Sequence, residues 1–279
     1  MFLLSDLNRV DELFFERNGI NLQSTETIVD DALHGLDDGE LFLEYRQSES
    51  LTFDDGRLRN AAFNSSQGFG FRAIVFTADA PQLGTRERDE RNNFKMPDNL
   101  SLGNFKGTIL EKFDDRNGSS MNMHNEVLFD KSLTFEIIPW IKEVSGLPVL
   151  VKGILRPDDA SLCFKHEADG VIISNHGGRQ LDTATPTLNQ IEPLRKEIGK
   201  DKLLIVDGGI RRGTDILKCI ALGADAVQIG RPVLWGLNYK GKEGVELVLD
   251  ILLKEFIETM ILTGCRNLNE ITRDLIREA

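Results

Sequence analysis

From Pro148 onward the chain alternates two kinds of segment. Short continuous apolar runs, "LPVLVKG", "DGVIISN", "KLLIVDGG" and "DAVQIGR", take turns with segments whose apolar residues recur at helical spacing. The helical segments are "RPDDASLCFKHEA", with Pro157 suited to a first turn, then "TPTLNQIEPLRKEIGK", "RRGTDILKCIALGA" and a long stretch from about Glu243 to Thr263. Strands apolar on both faces, separated by amphipathic helices, predict a parallel sheet covered by helices. Upstream, "FRAIVFTADAP" reads as another such strand and "SLTFEIIPWIKEVSG" as its helix. Between them, roughly Gln82 to Lys131, lies a polar stretch long enough to be either functional or disordered. Every run ends in polar or glycine-rich residues at its C-terminal end, where βα units carry their sites.

The first seventy residues follow a different pattern. After the helix-like "STETIVDDALHGL" come "GELFLEYRQ", "ESLTFDDG" and "RLRNAAFNSSQ", with turn signals between them. Closely spaced alternating strands predict a small antiparallel meander, since the turns are too short for parallel crossovers. The boundary is expected near Phe71 to Val75, giving a front unit over 1–74 and an α/β unit over 75–279.

Charge narrows the partners. The formal net charge of -12 carries no clustered basic footprint for nucleic acid, and it disfavours an anionic membrane surface. Apolar residues make up 41% of the 279, enough for a real core. Cys163, Cys219 and Cys265 are far apart in apolar, helix-like contexts, as expected for buried thiols in a reducing cytosol. "MFLLSDLNRVDELFFERNG" has no basic n-region, and no run approaches a membrane span. The expected location is cytoplasmic.

Three motif matches fail on context. "GFGFRA" precedes a strand, whereas a dinucleotide loop follows one. "GLNYKGKE" puts Glu243 where a P-loop needs Ser or Thr, and "HEADG" lacks the second histidine of a zinc-protease helix. A stronger pair is "VDGGIRRG" and "ADAVQIGRP", with Gly208, Gly209 and Gly230 at strand ends and Arg211 and Arg231 close by. Glycine lets backbone N–H groups approach an anion, and a following helix N-terminus adds its dipole. The last two strands of a barrel are where phosphate commonly sits. Lys152 closes "VLVKG" and faces the same end. In "SNHGGRQLD", His176 can act as a general base and Arg179 offers the fork for a carboxylate. "FTADAPQLGTRERD" adds Thr77 and Asp79, with Asp79 able to orient a protonated imidazole, and Arg86 just beyond.

"TADAPQLGTRERDERNNFKMP", "VKGILRPDDA", "SNHGGRQLD", "VDGGIRRGTDILKCIALGADAVQIGRP" and "MILTGCRNL" together resemble the FMN-dependent 2-hydroxy acid oxidases and dehydrogenases, from about Val75 to the C-terminus. That family is a (β/α)₈ barrel with FMN across its C-terminal mouth. The resemblance implies His176 as the base acting on a small L-2-hydroxy acid of lactate or glycolate type, with Asp79 pairing the protonated imidazole. Arg179 and Arg86 would bind the substrate carboxylate. Lys152 would stabilise charge on the reduced flavin, and Thr77 and Ser174 would contact its ring. Asp207 would meet the ribityl chain, and Gly208, Gly209, Arg211, Gly230 and Arg231 would surround the phosphate. The electron acceptor is left open, and no metal is implied.

Met1 to about Ile74 instead resembles the start of the TldD/PmbA proteins, without the zinc-binding histidines that lie downstream in that family. The chain therefore reads as a fusion. The fold expected is a partial TIM-type barrel, α/β, with about strands 4 to 8, preceded by a small α+β antiparallel segment. The family's first three strands and its substrate-binding tyrosines would be missing, since Tyr45 and Tyr239 sit in no matching motif. Open sheet edges favour self-association, so a homo-oligomer is expected. Two functions remain: an FMN-dependent oxidoreductase impaired by the missing strands, or a non-catalytic fusion remnant or interaction module related to TldD-type proteins.

Overall fold

The computed structural model describes residues 2–3, 42–46, 72–92, 94 and 131–277. The helix expected at "STETIVDDALHGL", the strands "ESLTFDDG" and "RLRNAAFNSSQ" and most of the long polar stretch lie outside the described residues.

Seven strands form one sheet: β1 (Phe2–Leu3), β2 (Phe42–Arg46), β3 (Ala73–Thr77), β4 (Val149–Ile154), β5 (Gly170–Ile173), β6 (Leu203–Asp207) and β7 (Ala226–Ile229). Their order is β1-β7-β6-β5-β4-β3-β2. From β2 to β7 every pairing is parallel, and β1 alone runs antiparallel, on β7. The helices are α1 (Glu87–Arg91), α2 (Ile137–Ser145), α3 (Pro157–Lys165), α4 (Ile191–Ile198), α5 (Gly213–Ala221) and α6 (Arg231–Thr263). The five strands expected after the boundary are all present, each joined to the next by a crossover carrying a helix. The result is an open, half-barrel arrangement.

One expectation is corrected. Phe42–Arg46 was placed in an antiparallel meander; it pairs instead in parallel with β3, from Phe42 opposite Ala73 to Arg46 opposite Thr77. Short turns forbid parallel pairing only between strands adjacent in sequence. Residues 47–72 separate β2 from β3, well beyond the dozen that a crossover needs. The described part of the front segment thus extends the barrel sheet at both edges, with β2 on one and β1 on the other.

Strands β3 to β7 are largely apolar because both faces are covered, and their period of two sorts the side chains. One set, including Ile74, Phe76, Val149, Val151, Val171, Ile173, Leu204, Val206, Val227 and Ile229, joins the helices in the larger core. The alternate set, Ala73, Val75, Leu150, Ile172, Leu203, Ile205 and Ala226, packs on the inner face as a second cluster. Full burial of an Ile or Leu here contributes roughly 1.5–3 kcal/mol.

The opposite end of the sheet is fastened by a repeated device. Asp169, just before β5, accepts from Val149 N at 2.8 Å and from Lys142 Nζ at 2.7 Å. Asp225, just before β7, accepts from Leu204 N at 2.7 Å and from Arg195 Nη2 at 2.6 Å. Each aspartate thereby ties the start of its strand to the strand two elements earlier.

The last helix starts sooner than its pattern predicts. It opens at Arg231, directly after Gly230, with Pro232 in its first turn, and breaks at Lys240 and Gly241. Gly236 and Gly244 meet across that break, where a Cβ on Gly236 would lie 2.3 Å from the Gly244 carbonyl oxygen. The "GLNYKGKE" decoy is this joint between two helical stretches.

Candidate active site

The same alternation that builds the inner cluster puts one polar residue at the end of each of β3 to β7 above it: Thr77, Lys152, Ser174, Asp207 and Gln228. All but Asp207 are almost fully buried. Lys152 Nζ stands 3.7 Å from Asp207 Oδ2, and Ser174 Oγ donates to that same oxygen at 2.8 Å. Burial pushes the Asp207 carboxyl above the usual carboxylate range, against the opposing pull of Lys152 and Ser174. Its Oδ1 and the Gln228 Oε1 are buried with no hydrogen-bond partner.

His176 follows in a single 3₁₀ turn at the end of β5. It has φ +56°, and Gly177 and Gly178 continue at +63° and +72°. A non-glycine residue in this region is strained by about 1–3 kcal/mol, a cost that recurs at functional sites. The turn is held from both sides. His176 N donates to Ser174 Oγ at 3.0 Å, and its ring Nδ1 lies 3.0 Å from Asp79 Oδ1. Asp79 comes this close because of Gly153, which sits at a register shift in β4 with φ +101°. A Cβ there would fall 2.5 Å from that of Asp79.

Gln180 staples the loop after β3 to the loop after β5. Its Nε2 donates to Asp79 O at 2.9 Å and to Gln82 O at 2.8 Å, while its Oε1 accepts from Gly84 N and Arg86 Nη2. This leaves Arg86 near Arg179: burial lowers the Arg86 pKa first, and the neighbouring Arg179 charge adds to the fall. Two guanidiniums held together attract an anion.

A cavity of about 450 Å³ opens over this layer. Lys152, His176, Arg179, Asp207 and Gln228 line it together with Gly208, Gly209, Arg211, Gly230 and Arg231. Gly208 and Gly209 have φ of +93° and +80°, and a Cβ at Gly209 or Gly230 would meet only open space. Arg231 donates to the Gly177 carbonyl, and the Arg211 guanidinium lies 5.3 Å over the Trp235 ring. Thr77, Ser174, Asp79 and Arg86 do not line the cavity. Ser174 and Asp79 reach it through Asp207 and His176, Arg86 stands behind Gln180, and Thr77 caps β3 beneath.

Three contributors were not singled out in the sequence. Gln180 sits inside "SNHGGRQLD", where the charged neighbours drew the chemistry. Gly153 follows Lys152 and reads as a plain strand end. Gln228 breaks the apolar run "DAVQIGR" on its inner-facing register, which was its only signal.

The arrangement so described pairs a histidine with a carboxylate, sets two arginines nearby, and places glycines and cations at the far end. Residues 49–278 match the family of FMN-dependent dehydrogenases. The chain belongs to that family. It is 43% identical over 224 residues to a 2-hydroxyacid oxidase of Dictyostelium discoideum, covering 80% of this chain and 57% of that protein. It is 44% identical over 207 residues to glycolate oxidase of Spinacia oleracea, covering 74% of this chain and 56% of that one. The fold agrees. A soluble mutant of the membrane-associated (S)-mandelate dehydrogenase from Pseudomonas putida superposes with a TM-score of 0.73 at 34% identity, covering 90% of this chain and 68% of that one. A crystallised mandelate oxidase gives the same score at 36% identity, over 79% of this chain and 62% of its own. The chain thus spans a little over half the length of the curated dehydrogenase-family relatives it matches. Among the described residues, no helix is long and apolar enough to cross a membrane.

Proposed function

We propose that the chain binds FMN across the C-terminal ends of β3 to β7 and oxidises a small L-2-hydroxy acid to the 2-oxo acid. The observation that carries this reading is the His176–Asp79 pair, at 3.0 Å, on the rim of a cavity whose other end is a glycine and arginine cradle. The residues present fit the cofactor. Asp207 Oδ1 is a buried acceptor lacking a donor, as a ribityl hydroxyl would supply. The open space at Gly209 and Gly230, beside Arg211, Arg231 and the start of α6, suits a phosphate.

FMN, when bound, supplies the two-electron acceptor. The protein's own residues handle protons and charge. With Nδ1 engaged by Asp79, the His176 Nε2 is left to take a proton from the substrate, and the Asp79 carboxylate stabilises the imidazolium that results. Arg179, with Arg86 beside it, holds the substrate carboxylate. Lys152, a buried cation lining the cavity, would stabilise negative charge on the cofactor ring.

Titration with FMN and with riboflavin tests the cradle. FMN should bind more tightly by tenfold or more, and equal affinities would remove the phosphate assignment of Gly209, Arg211, Gly230 and Arg231. Anaerobic addition of glycolate, L-lactate or L-mandelate should then bleach the bound flavin, and His176→Ala should slow the bleaching at least a hundredfold. Bound flavin that no 2-hydroxy acid reduces would favour the non-catalytic remnant instead.

A further inference from the structure

Lys152, Asp207 and Gln228 stand on three strands of one polar layer, and each lines the cavity. Lys152 and Asp207 have an ionic partner in each other; Gln228, only 2% exposed, ends in an oxygen with no hydrogen-bond partner. Burying an amide carbonyl without a donor is unfavourable, and a leucine would fill the same place without that cost. A buried amide oxygen without a donor, on a side chain that lines a cavity, therefore points to a ligand.

Its position identifies which part of the ligand. Gln228 is the register partner of Asp207 across β6 and β7, about 4.8 Å away by strand spacing. It precedes Gly230 by two residues, roughly 7 Å at about 3.3 Å per residue. Gln228 thus lies beside the residue assigned to the ribityl chain and below the phosphate cradle, where the chain linking ring to phosphate must pass. A carboxamide offers both a donor and an acceptor, which matches a row of hydroxyls better than it matches a phosphate or an apolar ring.

We propose that Gln228 is a cofactor-binding residue of this site, its carboxamide hydrogen-bonding the ribityl hydroxyls of the flavin. The proposal rests on the FMN reading above. It makes Gln228 a determinant of affinity for the polyol chain, separate from the arginines that hold the phosphate.

Fluorescence titration of the wild type and of Gln228→Leu decides it. Two flavins are compared: FMN, and an FMN analogue with an unhydroxylated five-carbon chain carrying the same phosphate. The thermal midpoint of each flavin-free protein is recorded alongside. Gln228→Leu should weaken FMN about tenfold, leave the analogue unchanged, and leave the flavin-free midpoint equal or higher. If leucine prevents folding, the nearly isosteric Gln228→Met carries the same expectation. Unchanged FMN affinity overturns the proposal, as does an equal loss on both flavins with a lower midpoint, which would make Gln228 a packing residue. In either case the FMN reading stands; only a wild type that binds neither flavin sinks both.

Discussion

His176 is anchored at three points: its backbone N on Ser174, its ring on Asp79, and its positive φ supported by the two glycines that follow. Each anchor serves orientation, so losing one should lower turnover more than it lowers substrate affinity. For Asp79→Asn we expect kcat to fall by roughly a hundredfold or more with KM little changed, because an amide can hold the ring but cannot stabilise its charged form. An unchanged kcat would show that the pair is structural. Arg179→Lys should act on the other parameter. A point charge cannot replace a planar fork, so KM should rise by an amount equivalent to about 1.5–3 kcal/mol, read from steady-state kinetics on one 2-hydroxy acid. At this scale the charged members were legible in the sequence because a histidine and arginines at a strand end have few other uses. The two glutamines were not, because a neutral amide acquires meaning only from what surrounds it. Gln180 needs the loop after β3 beside it, and Gln228 needs a cavity above it.

Among the elements, β4 does more than its pattern suggests. Its register shift at Gly153 opens the space that Asp79 fills, so the geometry of the His176 pair depends on a residue without a side chain. Gly153→Ala should cost about 1–3 kcal/mol from the clash and the positive φ, seen as a lower denaturant midpoint. It should also lower kcat beyond what the stability loss explains, and full activity in a stable variant would separate Asp79 from catalysis. The helices behind the sheet make a different statement. Burial pushes the thiols of Cys163 in α3 and Cys219 in α5 up to about 12, so almost no thiolate exists near neutrality. Maleimide at pH 8 should leave both unlabelled by peptide mass analysis until the protein is unfolded; rapid native labelling would mean that these helices open locally. Both cysteines could be read as buried from their apolar helical context. The early start of α6 could not, because Leu234, Trp235, Leu237 and Tyr239 are all exposed and give no amphipathic stripe to follow.

For the whole molecule, alternation of strand and helix was enough to forecast five parallel strands, whereas the direction of the strand at Phe42–Arg46 was not. Strand character is written in local side-chain pattern, but direction is set by which distant edge the strand meets, here that of β3. A second global property is the acidic balance. Burial raises the pKa of Asp207, against Lys152 and Ser174, and that of Asp225, against Arg195. Both carboxyls therefore hold a proton more tightly folded than unfolded, where such groups titrate near 3.9. Their contribution to stability is fully present below that value and is lost as pH rises through their folded pKa values. The net charge of -12 acts in the same direction, since raising pH removes the protons that relieve self-repulsion. Asp158 and Glu270, lowered by Arg156 and Arg266, have the opposite sign, but these are surface pairs and add little at physiological salt. The flavin-free protein should accordingly show a urea midpoint that falls as pH rises from about 4 toward 7.5, measured at constant ionic strength. FMN should reduce that fall, because a hydroxyl donor at Asp207 Oδ1 favours the ionised carboxylate. A midpoint that is flat or rises toward pH 7.5 in the flavin-free protein would show that Asp207 and Asp225 are held as fully compensated carboxylates.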